Sequence, residues 1–264
     1  MDMIQDLIAS TAWRTEIPRA YGWLHLLVVL LGFPAAGILA WKLRSLSWQK
    51  SCRLLLGTGL FLAVSEVYKQ LLYCLVLYPG SYHYSAFPFH LCSMPMYLCI
   101  ISAILPQGRL RRCILSFMML YNFLGGAIAF AEPSGLLHGY VTLTAHSLLW
   151  HLILVFLGFY LFFSGLGGST VADYRDATIV LFVLSAAAFG INLLLRKPSN
   201  GTINMFFVGP ADSSLIVFQS ISHIFGWYVC TPVYLLCLCL GGYILRLGAA
   251  RVRQNSTILT AHCK

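Results

Sequence analysis

The stretch "SAFPFHLCSMPMYLC", Ser85 to Cys99, places His90, Cys92 and two prolines inside an apolar run. A thiolate is a strong nucleophile, and an imidazole is the common base that generates one. Pro88 suits the first turn of a helix, where its missing N–H costs nothing. Cys92 then lies about one turn in, where free amides and the positive helix end stabilise a thiolate. Pro95 cannot bond back to the carbonyl of Leu91, which predicts a kink beside Cys92. His90 and Cys92 are two apart, roughly 200° around a helix axis, so they do not pair if both are helical. The base is expected from another segment.

"TAHSLLWHL" offers His146 and His151, five apart and about 140° around the axis, so only one is expected to face a given point. Ser147 and His151 share a face at i,i+4. Glu66 and Lys69 are three apart in mid-run, with Tyr73 on the same face. They read either as an ion pair neutralised in the bundle or as a polar floor or proton path. His25, Asn192 and His223 lie near the ends of their own apolar runs. Alone, each histidine reads as a buried ring bonded to a carbonyl, and Cys92 as a small packing residue. Their shared depth is what points to a common site. Zinc would need His90, Cys92 and a fifth-run histidine, but no HExxH or i,i+4 ligand pair is present, and no metal is expected. No Walker loop, dinucleotide fingerprint or Gly-x-Ser-x-Gly elbow occurs, so no cofactor is expected either.

These residues need elements to position them. The chain of 264 residues is 59% hydrophobic and 9% charged, with mean hydropathy +0.80. Soluble domains carry roughly 25% charged residues. The composition therefore predicts an all-α, polytopic membrane bundle of about seven transmembrane helices. The spans are expected near 22–42, 54–78, 88–106, 112–131, 144–166, 177–195 and 222–245. Residues 1–21 form a short N-terminal segment and 247–264 a short tail, around a single membrane domain over 22–246. The mixed polarity of the first residues implies that the first apolar run is retained as a span. Twelve of the 17 Lys and Arg fall in the loops on one side, which orients the chain N-out, C-in. The positives lie in short loops rather than on one basic face, so no nucleic-acid partner is expected. Nine cysteines without a CxxC pair leave the redox compartment open. The segment 196–221 mixes Pro, Gly and Asn around "INMFFV"; it reads either as a re-entrant segment or as a loop on the membrane interface.

The order of "WLHLL", "FPFHLCSM", "LLWHLILVFLGFYLFF", "GINLLL…GTINMFF…GP" and "FGWY" resembles the transmembrane protein 164 family, including its bacterial YwaF-type members. The resemblance runs from Trp23 to the last span. It implies a multi-pass lipid acyltransferase in which a cysteine takes an acyl chain from a phospholipid and passes it to a lysophospholipid. Cys92 then corresponds to the cysteine, His151 rather than His146 to the fifth-span histidine, and Asn192 and Asn204 to the Asn-rich segment. The chain departs from the eukaryotic branch at Ser93, where that branch has a histidine; here His90 precedes the cysteine instead.

The resulting expectation is acyl transfer at the membrane–water boundary of the cell membrane. His151 deprotonates Cys92, helix-start amides hold the oxyanion, and His90, Asn192, Asn204, His146 and His223 support the base or the headgroup. Water in place of the lysolipid would make a hydrolase. Two other classes fit the same polar residues: a small-molecule or proton-coupled transporter, which would show inverted repeats, and a seven-span sensor or structural protein.

Overall fold

The computed structural model describes residues 2–262, with side chains described over 3–254. Six helical rods are long and apolar enough to cross a membrane: Trp23–Leu43, Trp48–Leu77, Arg109–Ala131, Val141–Phe163, Val171–Leu194 and Trp227–Gln254. At about 1.5 Å per residue each reaches the ~30 Å hydrocarbon thickness. Among the described residues there is no strand, only an isolated bridge between Arg14 and Tyr140. The chain is a polytopic helical bundle.

In chain order the helices are α1 (Asp2–Ala9), α2 (Trp23–Leu43), α3 (Trp48–Leu72), α4 (Met94–Ile104), α5 (Arg109–Phe117), α6 (Phe123–Ala131), α7 (Val141–Phe163), α8 (Val171–Leu194), α9 (Ile216–Phe225) and α10 (Trp227–His262). A wide π turn, Tyr73–Leu77, extends α3, and another, Met118–Asn122, joins α5 to α6 into one rod. That rod is the most buried of the six. Phe117, Met118, Tyr121, Tyr160 and Leu161 form the centre of the core. Around it, α3 packs on α4, α2 on α7, α5 on α8, and α6 on α7. Where α6 meets α7 the backbones come close. A Cβ at Gly126 would lie 2.8 Å from the Leu154 side chain and 3.4 Å from the His151 carbonyl. Small residues permit such close approach between membrane helices.

One end of the bundle is riveted by charge. Arg109 reaches both carboxylate oxygens of Asp176 at 2.8 and 2.9 Å, and Arg112 those of Asp173 at 2.5 and 3.0 Å. Asp173 also closes a capping box with Thr170 at the start of α8. The opposite end is strapped by the N-terminal segment. Thr11 Oγ1 meets the Tyr68 hydroxyl at 2.6 Å, the Val141 amide donates to the Trp13 carbonyl, and the Thr15 amide to that of Gly139.

Several sequence expectations are revised. The third span is helical only from Leu91 to Ile104, about 21 Å long, shorter than the ~30 Å core. Pro88 lies in the irregular chain before this helix and does not start it. Leu91–Ser93 forms a 3-10 turn, and Pro95 occupies the first turn of α4, where no N–H is needed. The kink expected beside Cys92 is therefore a helix start. The last rod begins at Trp227 rather than 222, because Gly226 at φ 80° separates it from α9. It continues past 246, so the backbone expected to be a tail is helical to His262.

The middle of the segment 196–221 is drawn into the bundle. Ile203, Met205, Phe206 and Val208 are all buried in the core. The Asn192 side chain clasps Met205 twice, donating to its carbonyl at 3.0 Å and accepting from its amide at 2.7 Å. Asn204 donates to the Ala211 carbonyl at 3.0 Å and accepts from the Gly209 amide at 2.9 Å. Internal bonding of this kind is what non-helical backbone requires inside an apolar bundle.

Candidate functional site

Cys92 sits in the 3-10 turn ahead of α4, and its backbone is fixed from two other helices. Asn122, projecting from the π turn between α5 and α6, donates to the Leu91 carbonyl at 2.6 Å. Trp150 of α7 donates from its indole N–H to the Cys92 carbonyl itself at 2.8 Å. His90 is extended, at φ −87° and ψ 162°. The argument that two helical residues two apart point away from each other does not apply to it. His90 and Cys92 face one cavity of about 290 Å³.

The same cavity is lined by Glu66, Lys69 and Tyr73 from the end of α3 and by His146, Ser147, Trp150 and His151 from α7. His83, Ser85 and His138 close it from the loops. Five of the chain's eight histidines therefore meet one cysteine. Eight of the residues singled out from sequence converge here: Cys92, His151, His90, His146, Ser147, Glu66, Lys69 and Tyr73. His146 and His151 both line the cavity, contrary to the one-face expectation.

Asn192, Asn204 and His223 do not line it. Asn192 and Asn204 hold the loop over 203–211, as above. His223 is half-exposed on α9, 3.6 Å from an Asp212 carboxylate oxygen. The Asn-held loop nevertheless touches the site's frame. Phe206 packs on Phe89 with ring centres 6.0 Å apart, and Phe207 on His90 at 5.9 Å. Phe206 and Phe207 take φ of 56° and 55°, a left-handed conformation that bulky residues rarely adopt. Such strain persists only where surrounding contacts impose it. His25 is buried between Tyr21 and Phe130 and does not line the cavity.

The histidines differ in what their nitrogens can do. His151 Nδ1 is 2.8 Å from the Ser147 carbonyl. A carbonyl only accepts, so Nδ1 carries the proton and Nε2 keeps its lone pair. His90 Nε2 lies 3.2 Å from the Ser85 carbonyl, which by the same logic leaves its Nδ1 as the acceptor. The buried Nε2 of His146 has no hydrogen-bond partner. His138 Nε2 reaches the Ser147 hydroxyl at 3.1 Å, so the His138 and His151 contacts meet on one residue. Burial pushes the His83 and His138 imidazoles below the usual histidine value, with the Lys69 ammonium adding to the effect at His138. Glu66 and Lys69 pair with each other at 2.9 Å, and Gln70 tethers Glu66 to the Ala86 carbonyl. His83 is stacked on Tyr78 at 4.5 Å and on Tyr73 at 5.3 Å. No group of three or more His, Cys, Asp or Glu among the described residues is arranged to hold a metal ion.

Sequence reasoning missed His83 and His138 because it weighed polar residues inside apolar runs and not those in the joining loops. The signal was there: His83 and His138 each precede another cavity histidine, His90 and His146, by seven or eight residues.

Fold and composition together define a multi-pass helical membrane protein with a histidine-rich cavity near one end of the bundle. The chain matches the model of the TMEM164 family over residues 20–243, and it belongs to that family. No curated protein and no solved structure matches it.

Proposed function

We propose that this protein is a cysteine-dependent lipid acyltransferase of the cell membrane, moving an acyl chain from a phospholipid to a lysophospholipid. The observation that carries the reading is the convergence of Cys92 and His151 on one polar cavity, with the His151 tautomer that leaves Nε2 basic. Nε2 takes the Cys92 proton, and the thiolate attacks the donor ester carbonyl. The amides at the start of Leu91–Ser93 and the Ser93 hydroxyl hold the oxyanion. Collapse breaks the ester C–O bond. The leaving lysolipid oxygen takes the proton back from His151, and Cys92 carries a thioester. In the second half, His151 deprotonates the acceptor hydroxyl, which attacks the thioester and expels the Cys92 thiolate. That thiolate recovers the proton from His151. Water as acceptor gives hydrolysis instead.

The Glu66–Lys69 pair forms the floor, and His90, His138 and His146 surround the headgroup. Asn192 and Asn204 act from further away, by holding the loop that Phe89 and His90 rest against. The test uses purified protein with a radiolabelled phospholipid and an unlabelled lysophospholipid. Wild type transfers label, Cys92→Ser loses transfer, and His151→Ala lowers it about 10²–10⁴-fold, the range for a general base. No transfer by wild type, or equal transfer by Cys92→Ser, would overturn the proposal.

A further inference from the structure

A second concavity lies between α3 and α7, separate from the histidine-lined cavity. It has a volume of about 380 Å³ and is lined by Arg53, Gly57, Thr58 and Phe61 of α3 with Ile153 and Phe156 of α7. The packed cluster of Leu62, Met96, Trp150 and Leu154 stands between the two. α3 and α7 touch each other only sparsely, and this groove is the gap they leave. Its wall is apolar. The Thr58 hydroxyl is occupied by the Leu54 carbonyl at 2.8 Å. At one end stands Arg53, exposed and without an ion-pair partner among the described residues, with Lys50 exposed one turn before it. The run from Arg53 to Phe61 covers about 12 Å of helix, against about 15 Å for one leaflet's hydrocarbon.

We propose that this groove binds one phospholipid, with its phosphate on Arg53 and one acyl chain along Gly57 to Phe61. Charge decides the occupant. A guanidinium at the mouth of an apolar groove, at the depth where a rod enters the membrane, matches an anionic phosphate joined to a hydrocarbon chain. A free fatty chain descending from the Cys92 cavity would instead end its methyl against Arg53. The lipid fills the groove between two helices that otherwise meet through Leu62 and the Tyr160–Ser51 hydrogen bond at 2.7 Å.

Gly57 makes the inference testable without disturbing the bundle. A Cβ there meets nothing within 4 Å, so Gly57→Phe fills the groove rather than clashing with protein. Delipidated protein in detergent is titrated with dioleoyl phosphatidylglycerol and read by native mass spectrometry. Wild type is expected to carry one more tightly held lipid than Gly57→Phe. Arg53→Gln should weaken that lipid about ten-fold, the loss of one charge-assisted contact. Leu60→Phe, an exposed position outside the groove, should match wild type. Chainless glycerophosphate should not compete, and dioleoylglycerol, which lacks the phosphate, should bind no better to wild type than to Arg53→Gln. Wild-type stoichiometry and affinity in both Gly57→Phe and Arg53→Gln would overturn the proposal, and so would dioleoylglycerol binding as tightly as the phospholipid.

Discussion

His83 and His138 are held neutral by burial in the walls of the cavity, which sets a direction for acid. Their folded values lie below the unfolded value of about 6.5, so the unfolded chain binds their protons first. Their contribution to stability is complete above that value and is lost as pH falls below it. The unfolding midpoint in detergent should fall between pH 7 and pH 5. His138 faces Lys69, Glu66, His146 and His151 across the cavity. His138→Gln keeps a donor for Ser147 but cannot titrate, and should flatten that fall. An equal fall in the variant would remove His138 as a source. At this scale the sequence was informative about residue type and weaker about geometry. Cys92, His90, His146, His151, Glu66 and Lys69 stood out because polar groups are costly in apolar runs. Whether His90 could face Cys92 depended on where the helix begins, and the two prolines fit either start.

Elements were legible where a long apolar run imposes its own length, as in α2, α7 and α8. They were least legible where polarity and periodicity conflict. Over 196–221, "INMFFV" reads as apolar enough to be buried while its Asn, Gly and Pro read as loop; the structure satisfies both by burying a loop and bonding its backbone to two asparagines. Asn192→Ala removes both bonds to Met205 and leaves its buried amide without a partner, while its carbonyl keeps the Val208 amide at 3.3 Å. The expected loss is about 1–3 kcal/mol of stability, the cost of one unpaired buried group. Thermal or denaturant unfolding measures it. A variant within about 0.5 kcal/mol of wild type, the range of ordinary surface changes, would mean that packing alone holds Phe206 and Phe207 in their left-handed conformation.

Across the whole molecule, charge ties α5 to α8 at one end, while the cavity lies near the other, among α3, α4 and α7. The charge asymmetry in the sequence anticipates this division, since the basic loops gather on one side and the histidines on the opposite side. No count of apolar runs could show that the turn holding Cys92 belongs structurally to its neighbours. Its two carbonyls are suspended from Asn122 and Trp150, on separate rods. The nucleophile's position is thus a reading of the spacing between those rods, much as a taut thread reads the angle of two poles. Membrane rods tilt to match bilayer thickness, so lipid chain length becomes a mechanical input to the site. Trp150 supplies its own indicator. Its fluorescence, taken as the difference from Trp150→Phe, should shift between thin and thick bilayers, and an invariant difference would mean the suspension is rigid.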